Sequence, residues 1–230
     1  MSILQLIKLF FIQGGFFMYT ILIASVFGLA IILERFYKVG FQFRIRSRAF
    51  MAKIFHHVKS REIDQAIKLC SRSKAPLPII VKAGLERYNQ QARIENTGHS
   101  LVNVSEIQDA VDEATMEQLP RISRRTEYLN MIANISTLMG LLGTIQGLIQ
   151  AFTAVSHVDA AQKATMLAGG ISMALNTTAF GLMVAIPCMV SYSILNSMSD
   201  QILDDIDQFS LKLVNSLKQQ HQEADGERKK

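Results

Sequence analysis

Asn176, Thr177 and Thr178 stand together inside a stretch, Ala164–Ser199, that carries no charged side chain. Thr144 lies in a second such stretch, Tyr128–Val158. A hydroxyl offers one donor and two acceptor lone pairs, and a carboxamide offers both kinds of group. Hydrocarbon cannot meet either, so polar groups at this depth face protein or a watered interior. Thr137, Gly140, Thr144, Gly147 and Ala151 recur at helical spacing, and so do Gly170, Ala174, Thr178, Gly181 and Ala185. Two chemistries are open. Small residues let membrane helices approach closely, with each Thr bonding its own backbone. Alternatively, the hydroxyls line a cavity and handle a proton or hydrate an acidic partner.

Other reactive residues are sparse. His56, His57, His99, His157 and His221 have no ligand spacing with Cys or carboxylates, and no metal or other cofactor is expected. His56 and His57 are adjacent and point different ways on a helix. The run "GLLGTIQG" has the glycines of a phosphate loop but lacks the Lys-Ser/Thr that would follow. Nothing here points to an enzyme.

The elements that must hold these residues follow from composition. The chain has 230 residues, 49% of them hydrophobic and 19% charged, which is too apolar for an ordinary soluble domain. Three uncharged stretches exceed the roughly 20 residues that cross a bilayer: Leu9–Leu33, Tyr128–Val158 and Ala164–Ser199. The first is too long for the core of a signal peptide and runs into Glu34-Arg35, so it reads as a retained span. The expected fold is an all-α integral membrane protein with three transmembrane helices. A helical cytoplasmic insertion separates helices 1 and 2, and helices 2 and 3 extend into the cytoplasm. The expected segments are an outer N-terminus at 1–9, spans at 10–34, 129–156 and 166–198, a cytoplasmic helical domain at 35–128, an outer turn at 157–165, and a C-terminal helix and tail at 199–230.

Orientation comes from the basic residues. Arg35, Lys38, Arg44, Arg46, Arg48, Lys53, Lys59 and Arg61 follow the first span with no acidic residue among them, and only Lys8 precedes it. This asymmetry puts the insertion and the C-terminus inside and the N-terminus outside. The net charge of +5 is accounted for by topology and anionic lipid, without nucleic acid. Cys70 and Cys188 fall in different environments, which excludes a disulfide framework. Within the insertion, "SEIQ" at Ser105–Gln108 has capping-box form, Pro76 and Pro78 precede a helix, and "NQQARIENTGHSLVN" reads as a polar loop. After span three, Ile202, Ile206, Phe209, Leu213 and Leu217 keep a helical stripe. Pro187 removes one backbone bond and is expected to bend span three.

"LMGLLGTIQGLI" and "GISMALNTTAFGLMVAIP" closely resemble the two signature segments of the MotA/TolQ/ExbB proton-channel family. "ERFYKV" and "PLPIIVKAGL" resemble its weaker regions, and three spans with an outer N-terminus look like the TolQ/ExbB branch. The resemblance implies a subunit of the bacterial inner membrane that forms a homopentamer. It also implies a smaller single-span partner of ExbD/TolR type, whose intramembrane Asp carries the proton inside the pore. A TonB/TolA-like protein is a further implied partner. By resemblance, Thr144 and Thr178 match the Thr residues that line the proton path, with Thr137, Asn176 and Thr177 beside them. Gly140, Gly143, Gly147, Gly170, Gly181 and Pro187 are the helix-packing positions. The implied activity is coupling of the proton motive force to work at the cell envelope. This chain departs from the pattern at Met173, where ExbB-like sequences carry Glu, and at Thr137, where many relatives carry Pro. Spans two and three therefore hold no acidic or basic side chain of their own, and a non-conducting scaffold subunit is the alternative expectation.

Overall fold

The computed structural model describes residues 15–43, 47–95, 103–156 and 159–228. The expected N-terminal segment, the start of span one, Arg44, Arg46 and the middle of the polar loop fall outside them. Among the described residues seven α-helices follow in order: α1 (Gly15–Tyr37), α2 (Ser47–Lys59), α3 (Ile63–Ser71), α4 (Pro76–Glu95), α5 (Val104–Ser123), α6 (Thr126–Ser156) and α7 (Ala160–Arg228). One π-helical segment, Lys38–Gln42, extends α1. No strand occurs among the described residues. The protein is an all-α membrane protein. Three helices, α1, α6 and the first part of α7, are long and apolar enough to cross a bilayer.

The chain divides into two compact units. The first comprises residues up to Arg35 together with Arg125–Ile194, and holds the apolar parts of α1, α6 and α7. Its interior is small. Ile21, Ile132, Ala133, Val184, Ala185 and Cys188 form the buried cluster. The large apolar side chains point outward instead: Phe16, Phe27, Leu138, Leu141, Leu175 and Met183 are all exposed. A soluble unit would bury such residues, whereas a lipid-facing surface requires them. A Cβ built on Gly28 would stand 3.0 Å from Cys188 Sγ, so this glycine makes room on α1 for the Cys188 side chain of α7.

The second unit comprises Phe36–Arg124 and Leu195–Lys230 and is a helical bundle around a buried apolar core. Each helix contributes a stripe to one core: Met51, Ile54 and Val58 from α2, Ala66 and Cys70 from α3, Ile80, Val81 and Leu85 from α4. Ile107, Val111 and Ala114 come from α5, and Ile206, Phe209, Leu213 and Leu217 from α7. Ile202, the first residue of the expected α7 stripe, packs against this core half-buried. Pro76 begins α4, where its missing N–H has no helical acceptor to satisfy.

Two local expectations are corrected. The cap of α5 is Asn103, whose side chain accepts from Ser105 N–H at 3.0 Å, so Ser105 lies inside the helix rather than capping it. Asn103 N–H in turn donates to Gln91 Oε1 at 3.0 Å. That tether lets α4 continue to Glu95, through the first half of the stretch expected to be loop. Helix α7 runs on as one element through Pro187.

Nothing in the sequence announces the start of α6. Arg125 sits at φ 73°, a left-handed conformation that costs a non-glycine residue about 1–2 kcal/mol. Tertiary contacts hold it there. Arg125 pairs with Glu34, and the buried Arg35 donates from Nε to Thr126 Oγ1 at 3.1 Å.

Candidate functional site

Helices α6 and α7 pack through their glycines. A Cβ on Gly140 would stand 3.2 Å from Thr178 Cα and 3.4 Å from Gly181 Cα. One on Gly147 would stand 3.1 Å from the backbone N of Ala174 and from the carbonyl of Gly170. One on Gly181 would stand 2.6 Å from the carbonyl of Ser136, and one on Gly170 would stand 3.0 Å from Ala151 Cα. These neighbours are backbone atoms that cannot step aside, so the seam admits no larger residue. Small residues every fourth position allow this approach along an α-helical face. Gly143 meets side chain rather than backbone: its Cβ would stand 2.8 Å from Cβ of the buried Thr177.

The seam brings Thr144 and Thr178 together. Thr178 Oγ1 donates to the Gly140 carbonyl at 2.9 Å, and the Thr144 and Thr178 hydroxyls are hydrogen-bonded to each other. Either hydroxyl can be the donor in the bond between them; with Thr178 donating to the carbonyl, Thr144 is left to donate to Thr178 or to a carbonyl of its own. Thr144 Oγ1 also lies 3.4 Å from the Gly140 carbonyl and 3.5 Å from that of Ala174. Lone pairs remain free on Thr144, so the pair can accept a further hydrogen bond.

The remaining candidates divide by face. Residues two apart on an α-helix point about 200° apart, so Asn176 and Thr178 cannot face the same side. Asn176 is half-buried and has no hydrogen-bond partner among the described residues. Thr177 is fully buried in the seam and donates to its own Met173 carbonyl at 2.9 Å. Thr137 donates to the Ala133 carbonyl at 3.0 Å, as a helix-satisfied threonine does. Pro187 is exposed and takes no part in the seam.

Three polar residues of the spans escaped the sequence patterns. Ser136 is fully buried, and its Oγ has no partner among the described residues. Gln146 and Gln150 line a recess of about 300 Å³ together with Gly15, Phe16, Phe17, Gly143 and Met173. Their spacing, four residues apart in an uncharged span, was the available signal. Among the described residues no three His, Cys, Asp or Glu side chains converge as metal ligands.

Comparison with known proteins places this seam in context. The model of the MotA/TolQ/ExbB proton channel family matches residues 72–208, which contain α4, α5, α6 and the glycine- and threonine-bearing part of α7. A putative biopolymer transport protein ExbB-like 3 of Synechocystis sp. is 28% identical over 80% of this chain and 82% of that protein. Biopolymer transport protein exbB1 of Vibrio cholerae is 32% identical over 47% of each chain. The Tol-Pal system protein TolQ of Haemophilus influenzae is 35% identical over 44% of this chain and 43% of its own length. The match thus spans about half of the latter two proteins but most of the first. With over half of the chain matched, including both helices of the seam, this protein belongs to the MotA/TolQ/ExbB proton channel family, in its TolQ/ExbB-like branch.

Proposed function

We propose that this chain is the channel-forming subunit of an inner-membrane motor that couples proton flow to work at the cell envelope. The observation that carries the reading is the Thr144–Thr178 hydroxyl pair, set at a glycine seam in spans without charge. A hydroxyl passes a proton by accepting one on a lone pair and releasing its own to the next acceptor. Neither residue ends the transfer chemically changed. Because the spans supply no acid, the group that loads and unloads the proton comes from outside the chain. A carboxyl on a single-span partner of ExbD/TolR type fits that need, seated among several copies of this subunit, five in the expected assembly. A TonB/TolA-like protein would carry the work outward. The expected membrane orientation, with the N-terminus outside and the C-terminus inside, puts the basic residues after α1 at the inner face.

The competing reading is a scaffold without ion flux, favoured by the apolar Met173. The two are separated by Thr144→Val and Thr178→Val, which keep side-chain shape and remove the hydroxyl. Reconstituted with the native partner, each variant should dissipate an imposed pH gradient at about a hundredth of the wild-type rate or less, the scale of one general acid–base contribution. Insertion and partner binding should stay normal. Full flux in both variants would sink the conduction reading and leave the scaffold.

A further inference from the structure

The recess beside Gly143 is unusual for a membrane unit because its polar groups have nothing to bond. Gln146 and Gln150 stand one helical turn apart on the exposed side of α6, and neither carboxamide has a partner among the described residues. Among the described residues no charged side chain lines the recess, whose walls are Gly15, Phe16, Phe17, Gly143 and Met173. Its volume of about 300 Å³ far exceeds the ~10–15 Å³ that one water needs. Two carboxamides facing hydrocarbon would be severely penalised, whereas water would satisfy every donor and acceptor on both.

Resting on the channel reading above, we infer that this recess is a water-filled vestibule on the Met173 side of the α6–α7 seam. Its occupant is neutral water, held by Gln146 and Gln150. Two features shape it. Gly143 forms part of its wall, and the buried Thr177 lies directly behind Gly143. Thr177 is therefore the α7 side chain that this wall glycine meets, its hydroxyl held by the Met173 carbonyl at 2.9 Å. Met173, which contributes apolar wall and no charge, leaves hydration to the carboxamides of the facing helix. The vestibule keeps water at the seam without any group that ionises.

Cysteine accessibility tests this independently of flux. In full-length protein with Cys70→Ala and Cys188→Ala, single changes Gln146→Cys and Gln150→Cys are exposed in native membranes to a charged methanethiosulfonate. A thiol reacts as thiolate, which forms in water and not in hydrocarbon. Both sites should react within about tenfold of the rate at Asp159→Cys, while the lipid-facing Leu175→Cys lags by about a hundredfold or more. Should either glutamine position fail to insert, Met173→Cys probes the same wall. Labelling only by a lipid-soluble maleimide, or none, would show a dry recess and overturn the inference. The double variant Gln146→Leu/Gln150→Leu should also slow flux about a hundredfold, the lower end of a lost proton-transfer contribution. Accessible cysteines with unchanged flux would leave a wet pocket off the path, which overturns its role as vestibule. Unimpaired flux in Thr144→Val and Thr178→Val would instead defeat the channel reading, whatever the cysteines show.

Discussion

Gly143→Ala adds one methyl group at the tightest side-chain contact of the seam. The new Cβ would lie 2.8 Å from Thr177 Cβ, well inside van der Waals contact. Thr177 cannot turn away freely: it is β-branched, fully buried, and its hydroxyl donates to the Met173 carbonyl at 2.9 Å. Overpacking of this kind costs about 1–3 kcal/mol. Against it stands the helix preference of Ala over Gly, about 1 kcal/mol. The clash outweighs the preference, and the expected net effect is a loss of about 1 kcal/mol. Gly169→Ala is the control, since nothing lies within 4 Å of a Cβ there. It should gain up to about 1 kcal/mol from helix preference alone. Thr177→Ser removes the opposing methyl but keeps Cβ, so Gly143→Ala/Thr177→Ser should recover part of the loss. Unfolding of the purified protein in mixed micelles, followed by circular dichroism, reads all four proteins. Gly143→Ala as stable as Gly169→Ala would mean that α6 and α7 are not packed as described at this level.

At the start of α6, Arg125→Ala should be about 1 kcal/mol less stable than Arg125→Gly, because both lose the Glu34 pair but only Ala keeps the left-handed strain. The charge swap Glu34→Arg/Arg125→Glu should restore part of what either reversal loses, measured in the same unfolding assay. Burial pushes the Cys70 thiol up to about 12, above a reference of 9.0, because the thiolate is disfavoured away from water. At pH 8 its thiolate fraction is then about a thousandfold below that of a free thiol, so iodoacetamide should label it only after unfolding. The sign follows: the unfolded chain releases this proton first, so Cys70 lowers stability as pH rises from about 9 towards 12. Sidedness is better read at exposed positions. Asp159→Cys should react with an impermeant thiol reagent from outside intact spheroplasts and Asp112→Cys should not, the reverse pattern contradicting the expected orientation.

The helical architecture could be read from the chain because membrane spans and amphipathic stripes are periodic, local signals. Uncharged runs marked α1, α6 and the apolar part of α7, and the stripe of Ile206, Phe209, Leu213 and Leu217 marked the core face of α7. The glycine and threonine spacing likewise put Gly140, Thr144 and Gly147 near one helical face, since face follows from sequence separation alone. Partners do not follow from it. That Thr178 bonds the Gly140 carbonyl and Thr144 depends on how far α7 slides along α6, which backbone contact at Gly140, Gly147 and Gly181 decides. Asn176, by contrast, is set apart from Thr178 by helix geometry alone, two residues and about 200° round the same helix. Arg125 shows the limit most plainly. No glycine or proline marks its left-handed turn, because the conformation is held by Glu34 and by Arg35 on Thr126, about 90 residues away along the chain. Local propensity has no means of recording a contact made across that distance, and the turn exists only once α1 and α6 have met.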